Sequence, residues 1–147
     1  MSDNKYYLRM WGLKGESHAA GHHGDHDVDR WSIYNARRTQ SAGGSSNEKL
    51  GSWTRMSGRD FGQLEITKRH DSTSASIYRA AMSGRRFDWV ILFVEKASGS
   101  GPGGVLFTLM LENALVSTFN MFEDPTTQGM FSVFSLDSKE VLFKYAH

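Results

Sequence analysis

Between Leu64 and Glu95 the spacing of apolar residues changes period twice. Leu64-Glu65-Ile66-Thr67-Lys68 alternates apolar and polar, the period of a strand with one face buried. From Asp71 onward the apolar positions fall three and four apart: Ala75, Tyr78 and Met82, with Ile77 and Ala81 beside them. That spacing puts them on one face of a helix. Asp71-Ser72-Thr73-Ser74 offers short oxygen-bearing side chains to the free amides of a first turn. Gly84 can end the helix in the left-handed conformation. The helix is expected at about residues 72–83. Phe87 to Val94 is then apolar at nearly every position. Phe87, Trp89, Ile91 and Phe93 fall on one side of that strand and Val90, Leu92 and Val94 on the other. A core on one side leaves the other to a second layer, either the helix or another copy of the chain.

The flanks read mostly as strands. Tyr6–Leu13 is a strand candidate, Gly15–Asp27 a polar Gly/His loop, and Val28–Tyr34 a second strand. Arg37–Ser52 has almost no apolar content and is longer than the ~12–15 residues most structureless loops reach. Trp53–Ile66 returns to strand character, with Gly58 and Gly62 as possible bulges. Ser98–Gly104 is a turn between long strands. Val105–Phe122 is long enough for one bent strand or two, with Phe107, Leu109 and Leu111 opposite Leu106 and Met110. Glu123–Gly129 is a loop, and Phe131–Tyr145 a last strand or strand pair. The expected fold is mainly β: one domain over 1–147, a two-sheet β-barrel or sandwich with one flanking helix.

Composition narrows the chemistry. The 147 residues carry 17 Lys and Arg against 16 Asp and Glu, so no charge surplus argues for nucleic acid. There is no cysteine, which removes disulfides and thiolate metal sites. No apolar run approaches the ~18 residues of a membrane span, and the N-terminus has no signal-like apolar core. His18, His22, His23 and His26 are the candidate metal ligands, but their spacing is no zinc motif and the loop lacks a rigid support. They are read as a solvated loop, with a zinc-dependent enzyme as the alternative. Ser98–Gly104 lacks the Gly-Lys-Ser/Thr ending of a phosphate loop. Glu65, Asp71, Asp88, Glu95 and Glu112 could supply an acid–base pair, yet partners such as Lys68, Arg79, Arg85 and Arg86 are near in sequence. Trp31, Tyr34, Arg37, Arg38, Trp53 and Arg55 could stack single-stranded nucleic acid, or anchor a protein interface. Doubly apolar strands in so small a domain favour self-association.

Several short motifs occur in a familiar order: Gly12–Ser17, Val28–Tyr34, Phe61–Lys68 with Asp71–Ser74, Leu111–Thr118 and Phe134–Tyr145. Together they resemble the hemolysin-coregulated protein (Hcp) family, the tube proteins of bacterial type VI secretion systems. One departure is Ala75, where that family usually has proline. The resemblance implies no enzyme activity and no cofactor. It implies a homohexameric ring, rings stacked into a tube, and export without a signal peptide from the cytoplasm. Implied partners are other copies of itself, a contractile sheath, a spike protein and small effectors, with no nucleic acid and no membrane insertion. Ring and stacking contacts are expected at Lys14, Glu16, Arg37, Arg38, Gln40, Trp53, Arg55 and Asp124, and the lumen at Ser117 and Thr118. Stacking is assigned to the polar loops: Gly15–Asp27 on one face, Met121–Gln128 or Ser98–Gly104 on the other. A phage-like tail tube and a monomeric ligand-binding barrel are the alternatives for the same fold.

Overall fold

Strands form wherever the alternation holds and end where glycine, aspartate or a charged pair interrupts it. The computed structural model describes residues 4–35, 48–50, 53–96 and 104–145. Their order is β1 (Lys5–Met10), β2 (His26–Val28), β3 (Arg30–Tyr34), β4 (Glu48–Leu50), β5 (Trp53–Ser57), α1 (Gly58–Phe61), β6 (Gln63–Arg69), α2 (Ser74–Ser83), β7 (Arg86–Glu95), β8 (Val105–Glu123), β9 (Met130–Asp137) and β10 (Glu140–Tyr145). All pairings are antiparallel.

β8 is the spine. From Val105 to Leu115 it pairs with β7 along one edge, and from Phe107 to Glu112 with β10 along the other. β7 passes on to β1 and β2, and β10 to β5 and β4. Beyond Leu115, from Val116 to Glu123, β8 pairs only with β9 among the described residues. β9 passes on to β6 and β6 to β3, which makes a smaller four-stranded sheet. The two sheets share β8, and they meet again at Asp29, between β2 and β3, whose amide donates to the Thr67 carbonyl at 2.8 Å. A single core of buried side chains, among them Leu8, Ile66, Ile77, Leu92, Leu111 and Phe134, lies between them.

The inward-facing positions change parity in mid-sheet. Val90, Leu92 and Val94 face inward with Leu109 and Leu111; one rung later it is Phe87 with Ala114 and Val116. Both strands switch beside Asn113, whose φ of 56° is left-handed. A short polar side chain tolerates that conformation better than most. Phe87 therefore sits with the core and not with Trp89, Ile91 and Phe93, as strict alternation would place it.

Other expectations are corrected. α2 buries Ser74, Ile77 and Ala80, not Ala75, Tyr78 and Met82; Tyr78 is 49% and Met82 70% exposed. Small residues let the helix approach the sheet closely, and the bulky ones are left at its rim. Gly84 caps it at φ 69° as expected. Trp53–Ile66 is not one bulged strand: α1 interrupts it, and the helix count among described residues is two. Val28–Tyr34 breaks at Asp29, and β4 lies inside the expected long loop. Val105–Glu123 is one continuous strand. The rest of Arg37–Ser52, and Ser98–Gly103, lie outside the described residues.

Candidate functional site

The histidine-rich loop is pinned down, and its histidines do not converge. His22 stacks on Tyr7 at 3.9 Å between ring centroids, with Phe93 at 5.1 Å. Its Nδ1 lies 2.8 Å from Asp25 Oδ2 and its Nε2 2.5 Å from Glu95 Oε2. With a carboxylate oxygen at hydrogen-bonding distance from each ring nitrogen, both nitrogens are already engaged. Arg9 completes the group, donating from Nε to Asp25 Oδ1 at 2.8 Å. Tyr7 has its pKa raised by burial, then by Glu95 and Asp27. His26 is buried elsewhere and donates from Nε2 to the Leu13 carbonyl at 3.1 Å. Burial, and then the nearby Lys68 ammonium, push its pKa down to about 4. Lys68, itself buried, donates to Asp71 at 2.9 Å and to Thr73 at 3.3 Å. Burial alone would raise the Asp71 pKa, but hydrogen bonds from Thr73 and Lys68 outweigh it and lower the value. His18 and His23 are exposed, with ring centroids 6.2 Å apart. Among the described residues no three metal-ligating side chains are grouped to hold an ion, so the zinc-enzyme alternative loses its geometry.

That loop and the end of β1 also answer part of the apolar surplus. The second face of β7 is partly covered from within: Trp89 by Trp11 at 5.5 Å, Phe93 by His22 and by Arg9 at 4.9 Å. Trp31 packs between Tyr6 and Phe107. Arg85 and Arg86 donate to the carbonyls of Gly12 and Asn113, not to carboxylates. What the chain leaves uncovered is therefore strand edge more than strand face.

Two edges of the four-stranded sheet are bare among the described residues: β3 on one side and the second half of β8 on the other. The amide of Asp124 donates to the Gly129 carbonyl at 2.9 Å and closes the β8–β9 hairpin. Backbone groups alternate direction along a strand, so Phe119, Met121 and Glu123 aim theirs away from β9. These positions lack a partner strand, and Met121 is 47% exposed. On the outward face of the same sheet Ser32, Glu65, Ser135 and Thr118 lie in one row and Arg30, Thr67, Val133 and Asn120 in the next, largely polar, with the stacked Phe131 and Phe122 following towards the β8–β9 turn. Thr118, an expected lumen residue, is exposed on this face. Ser117 sits at the irregularity beside it, accepting from Gln63 Nε2 at 3.3 Å.

The expected contact residues are dispersed. Lys14 and Glu16 are exposed on the Gly/His loop, where the Ser72 hydroxyl donates to Glu16. Trp53 lies under Lys144, 4.6 Å from Nζ to the ring centroid. Arg55 reaches Glu112 at 3.5 Å and Glu140 at 3.9 Å. Asp124 organises the β8–β9 turn, accepting from the Thr126 amide at 2.9 Å. Arg37, Arg38 and Gln40 lie outside the described residues. Sequence reasoning missed a shallow cleft of about 450 Å³ at the β3–α1–β9 end of the small sheet, lined by Tyr34, Asn35, Arg59, Gln63, Asp137 and Ser138. In the sequence only Gly58 and Gly62, expected as bulges, mark it.

No helix among the described residues is long and apolar enough to cross a membrane. A family model described as "Type VI secretion system effector, Hcp" matches residues 7–147. The fold is similar to Hcp1 from Salmonella typhimurium, with a TM-score of 0.73 at 16% identity, covering 100% of this chain and 88% of that one. A type six secretion system protein matches with a TM-score of 0.72 at 19% identity, covering 96% and 83%. A type VI secretion system effector from Yersinia pestis gives 0.64 at 15% identity, covering 92% and 85%. Among curated proteins none matches.

Proposed function

This chain belongs to the Hcp family of type VI secretion system proteins, and on that premise we propose that it is a tube subunit that closes into homohexameric rings, which stack into the ejected inner tube. The observation that carries the reading is the four-stranded sheet with two unlike bare edges, β3 and the second half of β8. A bare edge is a row of unpaired donors and acceptors that templates another strand. When the two edges differ, one copy's β8 meets the next copy's β3. Such a head-to-tail contact forms a ring if the rotation closes. The sheet then runs on from copy to copy with its polar face, Thr118 and Asn120 included, turned to the lumen. The hydroxyl, amide and charged groups on that face, Ser32, Glu65, Thr67, Thr118 and Asn120 among them, favour a wetted lumen that suits the passage of small effectors. In this reading the protein acts by scaffolding and transport, not by catalysis, with the sheath and spike as further partners. It leaves the cytoplasm with the tube.

Light scattering tests the ring. The expected mass is six times the 16.5 kDa chain. Met121→Pro removes only an amide that points away from β9, so its strand should survive. This variant should run as a folded single chain of 16.5 kDa with an unchanged circular dichroism spectrum. Wild-type protein that stays at that mass at high concentration would overturn the proposal.

A further inference from the structure

The small sheet carries different features at its two ends. At one end Gln63, Tyr34 and Asp137 border the cleft of about 450 Å³. At the other the β8–β9 hairpin projects its tip, Glu123–Gly129. β9 runs from one to the other, roughly 23 Å at about 3.3 Å per residue. We propose that the hairpin tip of one protomer seats in the Arg59–Asp137 cleft of a second copy in the next ring. This rests on the tube reading and gives its stacking contact a location. A copy displaced along the strands brings tip to cleft, and the same contact then repeats without end.

Both parts are built to keep their shape. In the tip, the Asp124 carboxylate accepts from the Thr126 amide at 2.9 Å and the Asp124 carbonyl from the Gln128 amide at 2.6 Å. The Gly129 amide donates to Thr127 Oγ1 at 3.3 Å. The cleft is floored by backbone: a Cβ on Gly62, whose φ is 97°, would lie 2.4 Å from the Tyr34 carbonyl oxygen, and one on Gly58 1.6 Å from that of Ser138. The charges match. Glu123 on the tip and Arg59 in the cleft are both exposed, and neither has an ion pair among the described residues. Asp137 in the cleft suits the hydroxyls of Thr126 and Thr127. Each exposed pair contributes little by itself, but a ring presents every copy of it at once. Contacts of that kind assemble a tube that can also come apart.

The chain has no cysteine, so an introduced pair reports only its own encounter. Thr126→Cys combined with Tyr34→Cys, mildly oxidised, should give a ladder of linked protomers on a non-reducing gel, and each single variant no ladder. Adding Glu123→Arg should reduce the ladder to that background, and adding Arg59→Glu as well should restore it. Absence of a ladder from the folded double variant, checked by circular dichroism, overturns the contact. So does a ladder indifferent to both charge reversals. Light scattering on the same samples reads ring closure separately: a single-chain mass would sink the ring whether or not a ladder forms.

Discussion

The two halves of β8 are the same strand in opposite circumstances. Val105–Leu115 has β7 on one edge, β10 along much of the other, and Leu109 and Leu111 wholly buried beneath it. Val116–Glu123 has β9 on one edge, no described strand on the other, and mostly exposed side chains. The first half stabilises the protomer. The second contributes less to the fold of one copy and offers its backbone to another. A strand that passes from a closed environment to an open one within nineteen residues separates folding from assembly along its own length.

The sharpest break between the halves comes from two substitutions with crossed effects. Met121→Pro should abolish rings and leave thermal stability almost unchanged. Leu111→Ala should do the reverse. Leu111 is fully buried, and truncating such a leucine costs about 2–5 kcal/mol. Its melting temperature should fall by about 2–4 °C per kcal/mol, while light scattering below the transition still finds rings. If both variants lose rings and stability together, the two halves are one cooperative unit and the division fails.

Acid should weaken the closed part of the molecule first. His26, in β2, has a pKa of about 4 in the fold against ~6.5 in an unfolded chain. Above the higher value it is neutral in both states and stability does not change. As pH falls from ~6.5 to ~4, only the unfolded chain takes up the proton, so stability declines by roughly 3 kcal/mol. Urea unfolding at pH 7 and at pH 4.5 measures that slope, and His26→Gln should flatten it. Of the outward positions Phe119, Met121 and Glu123 only the last, at the hairpin end, carries an ionisable side chain, so between pH 7 and 4.5 ring mass should hold until the protomer itself unfolds.

What the sequence made legible follows the same division. The alternation of Leu64–Lys68, the apolar run Phe87–Val94 and the Leu109–Leu111 stretch were readable because burial writes itself into side chains. The face of α2 was misread because size, not polarity, chose it: Ser74 and Ala80 are the residues that let the helix approach the sheet. The break at Asp29 and the interruption by α1 depend on partners far away in the chain. A bare edge leaves no side-chain signature, since it consists of backbone groups that lack a neighbour. The cleft shows only as Gly58 and Gly62, whose reason is backbone crossing close by. The ordered motifs were nevertheless enough to suggest the family that the model match establishes over residues 7–147.

The boundary between the halves can itself be tested, with a smaller effect. At Asn113 the chain takes a left-handed φ of 56°, and there the inward-facing side chains change parity. Asn113→Val would have to adopt that conformation with a branched side chain, at a cost of about 1–2 kcal/mol. Asn113→Gly would adopt it freely. If the kink is what turns the second half away from β7 and leaves its edge bare, the valine variant should lose ring mass as well as stability, and glycine should keep both. A valine variant that is less stable but still assembles would mean that the open edge is held by β9 and α2 alone, and that the kink serves only the packing of Phe87 against Ala114.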